Sequence, residues 1–162
     1  MNPQNPAKIT KGYATGLIAA ICIFVAALLI AGWGLIGLYM GEEPVSSTVS
    51  TMTAPALVAI SLLLLAWVMW LQTVSLIKGA KPAWSLAIVV AGAAYLVWSF
   101  GGLIAGLSIQ ETWLSPFAFV MAVLWPLGLF LFWLLLWRKL YSGKGTPKWP
   151  WEDREEEERR GP

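Results

Sequence analysis

The chain has no histidine and a single cysteine, Cys22. Without imidazole, haem, copper and most catalytic zinc centres lose their usual ligand. Ser-His-Asp and Cys-His nucleophile systems are excluded on the same ground. One thiol cannot make an intramolecular disulfide, a C-x-x-C redox pair or a multi-thiolate metal site. Cys22 lies inside an apolar run, so it reads as a small buried hydrophobe. Only three carboxylates precede the C-terminal tail: Glu42, Glu43 and Glu111. They are candidates for a weak cation site, although carboxylates in wet loops more often just solubilise them. Gly32 to Gly37 matches G-x-G-x-x-G by letter, but it follows no strand and lies within an apolar run, so no nucleotide site is read there. The expectation is a protein with no cofactor, no metal and no catalytic residue, and not an enzyme.

What remains is the chemistry of packing in lipid. Gly37/Gly41 and Gly102/Gly106 are both G-x-x-x-G pairs. Small residues at this spacing let helix backbones approach closely where lipid gives little hydrophobic drive. They predict that the first and third apolar runs cross closely near the outer leaflet. A second cluster is polar and aromatic: Tyr95, Trp98, Ser99, Trp125 and Pro126, near the centres of the third and fourth runs. Buried O–H and indole N–H groups need acceptors. Pro126 has no N–H, which leaves the carbonyl of Ala122 without its usual donor and predicts a kink that Gly128 eases. That carbonyl is a candidate acceptor for Trp98, Ser99 or Trp125. The plain reading is a self-satisfied kink; the functional one is a small pocket for a lipid, isoprenoid or quinone tail. Gln72, Thr73 and Ser75 are expected to bond across helices.

These groups need elements to hold them. The 162 residues are 58% hydrophobic and 12% charged. A soluble domain carries about a quarter charged residues. Between Gly12 and Ile77 the only ionisable side chains, tyrosines and Cys22 aside, are Glu42 and Glu43. This excludes a soluble globular enzyme and a disordered chain. A net charge of only +2 with no basic stripe excludes nucleic acid as a partner.

Four stretches, about 12–40, 54–77, 82–107 and 116–137, are apolar and contain no Asp, Glu, Lys, Arg or His. About 20 such residues cross the hydrocarbon core of a bilayer. Backbone in lipid must satisfy its own hydrogen bonds, so each is read as a helix. Ser115-Pro116 carries a helix start signal, and Lys78 to Pro82 a tight connection. The fold class expected is an all-α membrane protein, a four-helix bundle of two similarly oriented hairpins. Residues 1–11 form an N-terminal segment, 12–141 the membrane domain and 142–162 a charged tail.

Lys and Arg fall on one side of the spans and Glu42, Glu43 and Glu111 on the other. By the positive-inside rule both termini are cytoplasmic. Tyr13, Trp84, Trp133, Trp137 and Tyr141 are expected at the cytoplasmic interface, and Trp33, Tyr39 and Trp113 at the outer one. The two hairpins echo one another loosely, which shared topological rules explain as well as duplication does. In the tail, Trp149 and Trp151 flank a proline, and Glu155 precedes Arg159 at the favourable i, i+4 spacing. These four are candidates for docking a partner; a solvated tail is the plain alternative.

The function expected is a non-catalytic accessory or assembly subunit of a larger membrane complex, in the plasma (inner) membrane. Its partners would be membrane lipids and other membrane protein subunits. The alternative is a small homo-oligomeric transporter or lipid or isoprenoid flippase. A membrane enzyme ranks third.

Overall fold

The protein is described from a computed structural model over residues 10–41, 43–45, 49–77 and 82–141. All regular structure among the described residues is helical: α1 (Lys11–Met40), α2 (Thr53–Ile77), α3 (Ser85–Ile104), the short α4 (Ile109–Thr112) and α5 (Pro116–Tyr141). Four of these helices are long and apolar enough to cross a membrane, with α4 running into the fourth span. The tail residues Trp149, Trp151, Glu155 and Arg159 lie outside the described residues, as do Glu42 and the Lys78–Lys81 connection.

Local chemistry accounts for the helix ends. Thr10 caps α1 by accepting from Tyr13 N–H at 3.3 Å. Gly41 closes α1 in the left-handed conformation (φ 68°), its N–H on Gly37 O at 2.8 Å. Ser115 accepts from Phe117 N–H at 3.3 Å, and Pro116 opens α5 as its missing N–H allows. The third helix starts at Ser85, three residues after Pro82, so that proline precedes the helix instead of opening it. Its far end is a Schellman turn: Leu107 N–H reaches Gly102 O at 2.9 Å and Gly106 N–H reaches Leu103 O at 3.1 Å, with Gly106 at φ 95°.

The extensive pairings are α3 with α5, α1 with α5, α2 with α3 and α1 with α2; α2 and α5 touch across the centre. This makes a ring in which α1 and α3 stand diagonally. The expected close crossing of the first and third spans is therefore corrected: α1 and α3 are not among these pairings, and side chains bridge the diagonal. Trp33 and Trp98 meet there edge-on, their ring centroids 5.1 Å apart.

The core is a stack of Val25, Leu29, Leu65, Met69, Met121, Leu129, Phe132 and Leu136, with Trp98 and Trp125. The outward faces are equally apolar, with Ile23, Ile30, Leu63, Trp67, Ile88 and Leu134 all exposed. A water-soluble bundle would put charge there; apolar surface on all sides is what hydrocarbon solvent demands. Close approach between the long helices uses glycines outside the two predicted pairs; within those pairs Gly102 is tightly packed, beneath α4. A Cβ on Gly128 would sit 2.6 Å from Val25 Cγ2, and one on Gly101 would strike Leu57 Cδ2. Gly128 thus lets α5 lie close against α1, and α5 continues as helix through Pro126.

Candidate functional site

Three clefts open at the end of the bundle that carries α4, and all three are lined by Glu43 and Pro44. The largest, about 710 Å³, lies between the end of α1 and the α3–α5 connection, with Ser108, Gln110, Glu111 and Ser115 among its lining residues. The second, about 500 Å³, runs down α1 over Trp33, Gly34, Gly37 and Gly41. A third lies against the start of α2.

The α3–α5 connection is built as a rigid lid. Ser108 caps α4 in a reciprocal capping box: its hydroxyl accepts from Glu111 N–H at 3.3 Å, while its own N–H and O–H donate to Glu111 Oε2 at 3.0 and 2.7 Å. Thr112, fully buried, donates to Ser108 O at 2.9 Å. The pattern S-x-x-E was legible as Ser108-Ile109-Gln110-Glu111 and went unread. Glu111, one of the three candidate carboxylates, uses Oε2 in the cap. Among the described residues no group of three His, Cys, Asp or Glu side chains is placed to hold a metal ion.

Polar aromatics tie this lid to the bundle. Trp98 Nε1–H donates to Glu111 O at 3.2 Å, and Tyr95 O–H donates to Trp113 O in a short contact. Trp33 Nε1–H donates to Phe117 O at 3.0 Å, and its ring stands perpendicular to that of Phe117. Trp113 fits edge-on against Tyr95 and Phe100. Trp33, expected at the outer interface, is half-buried and bonded to α5, which makes it also a structural member of this cluster. The signal for it was a tryptophan one turn from the α1 glycines, which sequence alone does not distinguish from an anchor.

The five-residue midplane cluster does not form one pocket. Tyr95 and Trp98 reach the lid, whereas Trp125 turns the other way and donates to Ser61 O on α2 at 3.0 Å. None of these donors uses the carbonyl of Ala122. Ser99 is fully buried and its hydroxyl has no partner. Trp125 instead floors a groove of about 190 Å³ between α2 and α3, lined by Ser61, Leu65, Trp67, Val90 and Ala94 among others and almost wholly apolar.

The predicted glycine pairs separate as well. Gly102 packs under the lid, where a Cβ would lie 2.6 Å from Thr112 Cγ2. Gly106 and Gly41 serve turns through their positive φ. On α1, Gly34 and Gly41 have open space where a Cβ would be, and both line the α1 cleft with Gly37.

At the opposite end Lys139 Nζ lies 5.9 Å over the Tyr13 ring, joining the start of α1 to the end of α5. Trp84 is exposed, as an interfacial anchor should be, but Trp133 is buried beside it. Thr73 donates within its own helix to Met69 O at 2.9 Å, and Gln72 Oε1 has no partner, so the bonds expected across helices from these two are not made.

A family model described as "Family of unknown function (DUF6121)" matches residues 8–159. No curated protein and no solved structure matches the chain.

Proposed function

We propose that this chain, which belongs to the family of unknown function DUF6121, is a non-catalytic accessory or assembly subunit of a larger membrane protein complex. The observation that carries this reading is the glycine face of α1. Gly34, Gly37 and Gly41 line an open cleft, and among the described residues nothing fills the space over Gly34 or Gly41. Gly101, Gly102 and Gly128, by contrast, are each in close contact with a side chain, while Gly16 and Gly92 are open singly and line no cleft with other glycines. A small-residue face left open in lipid suits the close approach of another transmembrane helix. The rest of the bundle supports a scaffold over a conduit, because Trp33, Tyr95, Trp98 and Trp125 all spend their donors on backbone carbonyls.

The topology proposed with it is two hairpins of the same orientation in the plasma membrane, both termini cytoplasmic. Lys11, Arg138 and Lys139 lie at one end of the helices, and Glu43 and Glu111 at the other. This charge division supports the orientation through the positive-inside rule.

Gentle detergent extraction of the tagged full chain tests the function. Co-purification of another membrane protein is expected, together with its loss in Gly34→Leu. That residue has room for a side chain, so the variant should fold normally. A clean monomer or a pure self-oligomer would refute this reading.

The groove floored by Trp125 favours a second reading, a homo-oligomeric transporter or flippase of a lipid or isoprenoid. An apolar slot of this size between α2 and α3 suits a single hydrocarbon chain. Flux of a labelled lipid across liposomes holding only the purified chain would favour it over the scaffold.

A further inference from the structure

Among the described residues, three buried side-chain atoms have no hydrogen-bond partner: Gln72 Oε1, Ser99 Oγ and Trp133 Nε1. Ser99 stands on α3 near the lid. Gln72 and Trp133 belong to the other end of the bundle, and their chemistry is complementary. The amide oxygen of Gln72 only accepts, and an indole N–H only donates. Gln72 is 8% exposed and Trp133 5%.

Their helices fix where they stand. Trp125 on α5 bonds to Ser61 on α2, and a Cβ on Gly128 would lie 3.7 Å from Leu65 Cδ2. The two helices therefore run in the same sense past each other. From the Leu65–Gly128 contact, Gln72 lies about two turns further along α2 and Trp133 about one and a half turns further along α5. Both belong to the inward stripes of their helices, with Leu65 and Met69 on α2, and Leu129, Phe132 and Leu136 on α5. At this end α1 and α3 bury Ala14, Ile18, Ala87 and Val90, which have no polar side-chain atom. The nearby hydroxyl of Thr73 is already on Met69 O.

An unmet acceptor and an unmet donor, buried at one level of an apolar bundle, are each costly. A mid-helix carbonyl can accept a second bond, as Ser61 O does from Trp125, but among the described residues no such group is within reach of either atom. A hydrocarbon chain satisfies neither group. A hydroxyl satisfies both, since its hydrogen goes to one and its oxygen accepts from the other.

We propose that Gln72 Oε1 and Trp133 Nε1 form a binding site for one hydroxyl-type group, which donates to Gln72 and accepts from Trp133. Water is the smallest occupant; the glycerol hydroxyl of a lipid headgroup is the other source. Trp84, exposed and with its ring centroid 6.0 Å from that of Trp133, connects the site to the surface at the basic end.

Nuclear magnetic resonance of the full chain, labelled with 15N-tryptophan in phosphatidylcholine nanodiscs, tests this. That lipid carries no headgroup hydroxyl. The Trp133 indole signal is identified by its loss in Trp133→Phe. With water as occupant, magnetisation passes from water to the Trp133 indole N–H. The transfer is lost in Gln72→Leu, and in Gln72→Met, which keeps the side-chain length if the leucine variant fails to fold. The Trp98 and Trp125 indoles, bonded to carbonyls, do not change. With a lipid hydroxyl as occupant, no transfer occurs in phosphatidylcholine, and the Trp133 signal shifts when phosphatidylglycerol is added. A Trp133 signal with neither transfer nor lipid-dependent shift overturns the proposal. So does a transfer that survives the loss of the Gln72 amide.

Discussion

The two ends of the bundle treat buried polar aromatics in opposite ways. At the lid end, Trp33, Tyr95 and Trp98 donate to the carbonyls of Phe117, Trp113 and Glu111. At the basic end, the indole N–H of Trp133 and the amide oxygen of Gln72 meet nothing from the chain. The cause is the path of the backbone. A helix leaves its last carbonyls unpaired, and α4 is only four residues long, so residues 111–113 present free acceptors directly over the bundle. Regular helix offers acceptors only where a donor happens to face a carbonyl, as Trp125 faces Ser61 O, and Trp133 faces none among the described residues. The lid thus widens the choice of acceptors at its own end.

The sharpest test of this contrast is Trp98. It is fully buried, bonds to the lid and stacks edge-on against Trp33. Trp98→Ala should destabilise by about 3–5 kcal/mol through the cavity it leaves. Trp98→Phe keeps most of the volume and should cost about 1 kcal/mol, the scale of an interhelical hydrogen bond in a membrane protein. Unfolding titrations in mixed micelles measure both, and hydrogen exchange should show residues 108–115 loosening first.

Glycine substitutions extend the comparison to the helix faces. Gly128→Ala pushes a methyl to 2.6 Å from Val25 Cγ2, a stiff β-branched side chain on α1. Overpacking of this kind should cost about 1–3 kcal/mol. Gly34→Ala meets open space, and alanine is the better helix former, so its stability should be equal or greater by up to about 1 kcal/mol. Equal losses at the two positions would mean that the α1 face is occupied after all.

Within the lid, Ser108→Ala removes the hydroxyl half of the capping box and leaves the backbone N–H of residue 108 on Glu111 Oε2. A loss of about 1 kcal/mol is expected. Hydrogen exchange at Glu111 and Thr112 should speed up while the middle of α5 is unchanged. Uniform change along the chain would show that the lid and the bundle open together.

How much of this was legible follows from the kind of signal involved. The spans were legible because lipid imposes a long, uncharged run, and the ends of α1 and α2 fall within a residue of where composition places them. Helix partners were not. Glycine at i, i+4 says that a close approach is wanted somewhere, but Gly41 and Gly106 went to turns and Gly128 to the interface. Turn glycines and packing glycines look alike until φ is known. The indole acceptors were hidden for a related reason. Periodicity placed Tyr95, Trp98 and Trp125 at similar depths, yet their partners are set by the lid and by rotation about each helix axis. Pro126 drew attention to the carbonyl of Ala122, while the acceptors actually used were the end of α4 and the backbone at Ser61 and Phe117.

The smallest expected effect separates the two ends most directly. Trp133→Phe removes an indole N–H that no group of the chain accepts. The phenyl ring keeps the apolar contacts with Trp84 and Phe130, which meet Trp133 at 6.0 and 5.5 Å between centroids. Two opposing terms remain: a modest loss of packed volume, and relief of a buried donor that lacked a protein partner. They nearly cancel, so the change should stay within about 0.5 kcal/mol, below that of Trp98→Phe. Unfolding midpoints of the two phenylalanine variants, compared in one detergent, give the answer. If Trp133→Phe were the more damaging while Gln72→Leu was harmless, its N–H would have an acceptor inside the chain instead of the bound hydroxyl, and the proposed difference between the ends would fail.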